Sequence, residues 1–280
     1  NQSLIFAEKS CIYNDNNVEY LTNYAELLFS LKDYKKSEEI ALKSTEINID
    51  NGYAWNLLAS IALINNDLEN AQKYIFNALS TMPEDLSVLK NYIIIMQKQQ
   101  RFEEAFGVLD DAAKHSGYGA NYRGQALHLT ANLLKNLDRY EEAENRYKEA
   151  LLLCPKNQQL IADYASLCIF TNRLNEADSL LCKTLTEEEI PTEDIIHLLV
   201  IISNKKGDFS RSEVLLREYI EEYKNRNIPC PTLYFDLGNL YISINKVSKA
   251  EQIAELLKEE KYFEEYNQLI SIINSKTKEE

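Results

Sequence analysis

Histidine, cysteine and carboxylate side chains are the groups with which this chain could hold a metal, attack a carbonyl or move a proton. It has three histidines, His115, His128 and His197, and five cysteines, Cys11, Cys154, Cys168, Cys182 and Cys230. A zinc protease needs two histidines one helical turn apart around a glutamate (HExxH), a phosphate cradle needs GxxxxGK[ST], and an esterase elbow needs GxSxG. None of these strings occurs. The cysteines are odd in number and contain no CxxC pair, so they read as small hydrophobes of a reducing compartment rather than ligands or a disulfide frame. Carboxylates are abundant, but on an exterior face they are usually solvated. The sequence therefore predicts no enzyme, no cofactor and no metal, and a cytoplasmic location.

Charge and composition narrow the class further. A net charge of −14 disfavours nonspecific binding to nucleic acid or anionic membrane, both of which need clustered basic residues. Seven Gly and five Pro in 280 residues suit long helices joined by short turns. No apolar run is long enough for a membrane span, and no signal peptide is visible. The first residue is Asn1 rather than Met, which reads as processing or truncation.

The elements that must position any site are set by the stretch Gly52 to Asp85. Trp55, Leu58, Ala59, Ala62, Ala71, Ile75, Ala78 and Pro83 fall at positions 4, 7, 8, 11, 20, 24, 27 and 32 of these 34 residues. Small residues at 8, 20 and 27 let two antiparallel helices approach closely, and bulky ones fill the gaps. Asn66-Asp67 supplies turn chemistry between the helices, and Pro83 ends the second. The stretch resembles the tetratricopeptide repeat, a helix–turn–helix unit of 34 residues.

In-frame repeats are expected near 18–51, 52–85, 86–119, 124–157, 158–191, 193–226 and 231–264. Two four-residue slips interrupt them, at 115–124 and 224–231. The first slip, HSGYGANYRG, reads as a lengthened turn or as a loop reaching a partner through Tyr118 and Tyr122. Residues 1–17 look like the second half of a repeat or an N-terminal cap, and residues 265–280 like the end of a capping helix with a polar tail. Phe263, Tyr266, Ile270 and Ile273 form one face of that cap. The resemblance implies an all-α, right-handed superhelical solenoid of about seven antiparallel helix pairs with a C-terminal capping helix.

In this family the first helices line a concave groove, with positions 2, 5, 9, 12 and 13 facing inward. Across the repeats those positions hold four lysines (90, 98, 135, 205) and three acids (19, 26, 194), a sum of +1. The groove is thus expected to be polar to basic at its middle. The residues expected to hold a peptide are Asn56, Lys90, Asn91, Lys98, His128, Asn132, Lys135, Asn136, Lys205 and Asn239. The lysines would steer acidic side chains, and His128, Asn132 and Asn136 would bond backbone amides. Position 6 carries only Asn23 and Asn91 as asparagines, so a continuous amide ladder is not expected. No three successive repeats carry the Lys/Asn/Arg set of a carboxylate clamp, which disfavours a C-terminal EEVD tail.

The resemblance implies a scaffold or adaptor that binds an extended, acidic or amide-rich peptide or partner protein. Two alternatives stay open. One is the substrate-recruiting arm of a larger glycosyl-, sulfo- or methyltransferase; the other is a bacterial pilus or envelope assembly factor. Homo-oligomerisation through an exposed terminal helix is also open.

Overall fold

Asparagine or aspartate starts seven of the fifteen described helices. Asn17, Asn51, Asp85 and Asn157 each accept a backbone N–H of the first turn of a first helix, and Asp33, Asp67 and Asp208 do the same for second helices. The computed structural model describes residues 9, 14, 16–115, 117–186 and 190–276. Most of the stretch Asn1–Asn14, Cys11 included, and the last four residues lie outside the described residues.

Among the described residues there are fifteen α-helices and no strand. They follow as α1 (Val18–Ser30) and α2 (Tyr34–Ile47), α3 (Gly52–Ile64) and α4 (Leu68–Thr81), α5 (Leu86–Lys98) and α6 (Phe102–Lys114). Then come α7 (Ala120–Asn136) and α8 (Tyr140–Leu153), α9 (Gln158–Phe170) and α10 (Leu174–Cys182), α11 (Glu193–Lys205) and α12 (Phe209–Asn225). The series ends with α13 (Pro231–Ser243), α14 (Val247–Glu259) and α15 (Phe263–Lys276). The chain divides into two compact units, Asn1–Leu133 and Leu134–Glu280, the boundary falling within α7.

The small-residue positions carry the packing. At position 20 stand Ser37, Ala71, Ala105, Ala143, Ala177, Ser212 and Ala250, and all are fully buried. No larger side chain would fit there without displacing a neighbouring helix, and overpacking costs about 1–3 kcal/mol. Ser37 turns this closeness into a bond: its Oγ donates to the Ala25 carbonyl of α1 at 2.7 Å. Position 24 holds a bulky partner in five repeats, Ile75, Leu109, Tyr147, Leu181 and Leu216, and alanine in two, Ala41 and Ala254, all fully buried. Tyr147 stacks on Tyr164 with centroids 5.6 Å apart.

Each first helix ends in the same way. Position 15 of every pair, namely Lys32, Asn66, Gln100, Asp138, Asn172, Gly207 and Asn245, has a left-handed backbone. The following N–H, for example that of Asp67, returns to the Ala62 carbonyl at 2.8 Å. That bond closes the helix end and reverses the chain within two or three residues. Asn and Gly tolerate this conformation; Lys32 and Gln100 adopt it under strain.

The two slips fold differently from a plain loop. α7 starts at Ala120, four residues ahead of Gly124, where the repeat frame would start it. Tyr122 is buried, and its hydroxyl donates to the Pro83 carbonyl at 2.6 Å; burial pushes that phenol up to about 12. Tyr118 stacks on His115 and meets Tyr122 edge-on, 5.0 Å away. Tyr122 therefore packs back on the chain and is not available to a partner. At the second slip, α12 runs on to Asn225, Asn227 turns the chain with φ 55°, and Pro231 opens α13.

α15 buries Leu269 and Ile273, while Phe263 stays exposed and Tyr266 and Ile270 are half-buried. The expected face is thus corrected to one centred on Leu269. That side chain reaches Gly238 of α13 so closely that a Cβ there would lie 2.5 Å from Leu269 Cδ2. Gly238 is the position-8 residue of its repeat, and its bare backbone is what lets the capping helix seat.

Candidate functional site

In the first unit the exposed faces of α3 and α5 lie side by side, joined by amides. Asn91 Nδ2 donates to Asn56 Oδ1 at 2.8 Å and to Ser60 Oγ at 2.9 Å, and Asn56 Nδ2 donates to Ser87 Oγ at 2.9 Å. Net contributions near 1 kcal/mol per hydrogen bond make this a modest but specific tie between two first helices. Asn56 and Asn91 were expected to greet a peptide; instead their side chains are half-buried and turned to each other. Around them stand Tyr53 at 59 %, Ile64 at 49 % and Ile94 at 41 % exposure. Lys90 and Lys98 are exposed, and neither has an ion-pair partner among the described residues.

His128 is a correction. It is buried, and Asn132 Nδ2 sits 3.3 Å from its Nε2. The ring positions Asn132 and cannot reach a ligand's backbone; Asn132 itself is half-buried. Thr22, at another inward position, is also buried: Asn51 Nδ2 donates to both Thr22 Oγ1 and Ser44 Oγ at 2.8 Å. The average frame of the repeat gives the direction of a side chain from the helix axis. It does not give the depth to which a neighbouring helix covers that side chain.

In the second unit Asn136 and Lys205 are exposed, and Lys135 and Asn239 are half-buried. The charge here departs from the expectation of a polar to basic surface. His197 Nδ1 lies 2.6 Å from Asp236 Oδ2, linking α11 to α13. That hydrogen bond raises the imidazole's pKa against the opposing effect of burial, with Asp194 adding to the rise. Asp163, Asp194 and His197 line a cleft of about 250 Å³ with Gln159 and Ser166. Asp163 and Asp236 occupy position 6, which the five inward positions leave out; counting it would have exposed the acidity.

A further ion network went unread in the sequence. Asp178 of α10 accepts from Arg211 Nη1 and Nη2 at 3.0 and 2.7 Å and from Lys206 Nζ at 2.9 Å. The Arg211 hydrogen bonds hold its carboxyl far below the usual range. Cys182, expected to be a buried core residue, is half-buried beside this network, and Arg211 Nη2 lies 3.3 Å from its sulfur. Cys154, Cys168 and Cys230 are buried thiols, in no disulfide among the described residues. Among the described residues no group of three or more His, Cys, Asp or Glu could hold a metal ion, and no helix is long and apolar enough to cross a membrane.

Comparison with known proteins agrees with this architecture. Residues 18–51 and 124–157 each match the family model of the tetratricopeptide repeat. A TPR repeat-containing protein of Treponema pallidum (strain Nichols) is 28% identical over 244 residues, which is 87% of this chain and 29% of the relative. The chain thus spans less than a third of that curated relative's length. Among solved structures, a tetratricopeptide repeat protein from Parabacteroides merdae superposes with a TM-score of 0.59 at 18% identity, over 86% of this chain and 90% of that one. Yeast Tom70 gives 0.59 at 19% identity, over 79% of this chain and 47% of its own. At such identities the two structures speak for the fold alone. Seven helix pairs on a small-residue frame, the two matched repeats and these relatives together support a tetratricopeptide-repeat protein, with the all-α helical-repeat fold of a protein-interaction scaffold.

Proposed function

We propose that the first unit docks an extended peptide of its partner along α3 and α5, and that the peptide carries acidic residues on either side of an apolar one. The observation behind this reading is the arrangement of Lys90, Ile94 and Lys98. They are spaced by four on α5, so they share one face, and all three are exposed. Eight residues of helix at 1.5 Å each place the two ammonium groups' stems about 12 Å apart. An extended chain covers that distance in about three to four residues. The matching ligand has two carboxylates three or four residues apart, with an apolar side chain between them for Ile94, Tyr53 and Ile64. The Asn56–Asn91 tie keeps the two helices in register so that this spacing is held before the ligand arrives, which lowers the ordering cost of binding.

Selection from a random peptide display library against the immobilised chain tests the reading. Enrichment of Asp or Glu pairs at that spacing around an apolar residue is expected, and Lys90→Glu with Lys98→Glu is expected to replace acidic by basic residues in the selected set. A set with no acidic preference, or one that the double reversal leaves unchanged, refutes the reading.

A further inference from the structure

The first slip builds a cleft that the repeat packing does not require. It measures about 180 Å³ and lies wholly in the first unit, against the second helices α4 and α6. Leu79 and Val108 line it from those helices, Asp111 stands on α6, and His115, Tyr118 and Tyr122 come from the slip.

The local backbone brings three aromatic rings together here. The Tyr118 N–H donates to the His115 carbonyl at 3.1 Å, which closes a tight turn and stacks the two rings with centroids 4.3 Å apart. Gly117 admits the His115 ring, since a Cβ there would lie only 3.0 Å from the imidazole Cε1. Tyr122 cannot swing out towards a partner chain, because its hydroxyl is tied to the Pro83 carbonyl; the same bond fixes its ring as the inner wall of the cleft. Tyr118 and Tyr122 stand at 76° to each other, so they form a corner rather than one flat shelf.

The charge around this corner is negative. Asp111 is exposed, and its carboxylate has no hydrogen-bond or ion-pair partner among the described residues. Glu84 and Asp85 are close enough for their charges to act on the Tyr122 hydroxyl. No lysine or arginine is among the described residues that line the cleft. The neighbouring ones are engaged elsewhere: Lys114 pairs with Asp110, and Arg123 Nε donates to the Ala113 carbonyl at 2.9 Å. Aromatic faces add their own attraction for a cation. The cleft is poor in hydrogen-bond acceptors, because the Pro83 carbonyl already accepts from Tyr122. An ammonium brings three donors and a guanidinium five, and many of them would go unmet. A fully methylated ammonium carries the same charge with no donor to satisfy.

We propose that this cleft binds a trimethylammonium group, its methyls against Tyr118, Tyr122 and Leu79 and its charge balanced by Asp111. A cavity of about 150 Å³ takes a benzene-sized molecule, so the cleft has room for such a group. A free small molecule and the side chain of a methylated lysine both carry it, and the test separates the two. The inference is independent of the peptide face on α3 and α5, because it draws on second helices and the slip alone.

Titration calorimetry on the whole 280-residue chain at pH 8 tests it, with choline and N-acetyl-trimethyllysine amide as probes. The controls are neohexanol, the uncharged isostere of choline, and ethanolamine, its unmethylated counterpart. At least one probe is expected to bind, and both controls to bind at least about tenfold more weakly. Tighter binding of choline assigns a free small molecule as the ligand; tighter binding of the lysine derivative assigns a modified chain. Tyr118→Ala and Asp111→Asn should each weaken binding about fivefold or more, whereas Tyr118→Phe, which keeps the ring, should bind like the wild type. Asp111 is exposed, so its variant should melt at the wild-type temperature, and its loss of binding is then not a loss of fold. Absence of binding at millimolar probe overturns the proposal. So does a control that binds as tightly as the probes, or full affinity in both Tyr118→Ala and Asp111→Asn.

Discussion

Replacing Asp178 by Asn should destabilise the second unit by an amount that depends on pH in a defined direction. The carboxylate accepts three charge-assisted hydrogen bonds, two from Arg211 and one from Lys206. Were all the groups fully buried, removing the charge would cost about 1.5–3 kcal/mol per bond. Asp178 is 19% exposed and its donors 31% and 30%, so the freed cations recover much of their hydration. The net loss is then about 2 kcal/mol at neutral pH. For a unit of this size that corresponds to a fall of roughly 4–8 °C in its melting temperature. The folded-state pKa of Asp178 is depressed below its unfolded value near 3.9. Its contribution is therefore fully present above that unfolded value and is lost as pH falls through the folded pKa. Melting the wild type and Asp178→Asn between pH 8 and the lowest pH at which both fold reads this directly. The gap between them should be constant down to about pH 5 and shrink steadily below about pH 4. A gap that is the same at pH 7 and pH 3 would show that shape, not charge, holds Asp178, and would refute the reasoning.

Three other outcomes follow from the packing. His197 titrates in the opposite sense: its raised pKa means that the Asp236 pair stabilises below about pH 6.5 and is lost as pH rises through the folded value, so Asp236→Asn should cost about 0.5–1 kcal/mol at pH 6 and less at pH 9 in urea melts. Ala143→Leu, at a fully buried position 20, should lower stability by about 1–3 kcal/mol, seen as an earlier urea midpoint. Gln100→Gly relieves a left-handed non-glycine residue and should raise stability by about 0.5–1 kcal/mol, seen as a later midpoint.

The helix pairs were legible because their signal is steric and repeated. A small residue at position 20 means the same thing in each repeat, and seven occurrences in one frame reinforce each other. The turns were legible only in part. Asn66, Asn172 and Asn245 advertise a left-handed residue, whereas Lys32 and Gln100 occupy the same backbone conformation with no sign of it in their type. The early start of α7 was hidden for a related reason: Tyr122 looks like an exposed loop aromatic until the Pro83 carbonyl is found next to its hydroxyl.

The candidate site was less legible than the fold. Lys90, Lys98, Asn136 and Lys205 are exposed as a face assignment would have them, but burial of His128 and the mutual pairing of Asn56 and Asn91 depend on how closely the next first helix approaches. Charge was misread in the second unit because Asp163 and Asp236 sit one position away from the inward set.

The most direct measurement of the central claim places a photo-crosslinking amino acid at single exposed positions of the chain and irradiates it with an acidic peptide taken from the display selection. Ile94 and Tyr53 lie on the α3–α5 face, whereas Phe76 on α4 and Leu152 on α8 are comparably or more exposed on second helices. The account predicts crosslinks from positions 94 and 53 and none from 76 or 152. Crosslinking from 76 or 152 with none from 94 would contradict it.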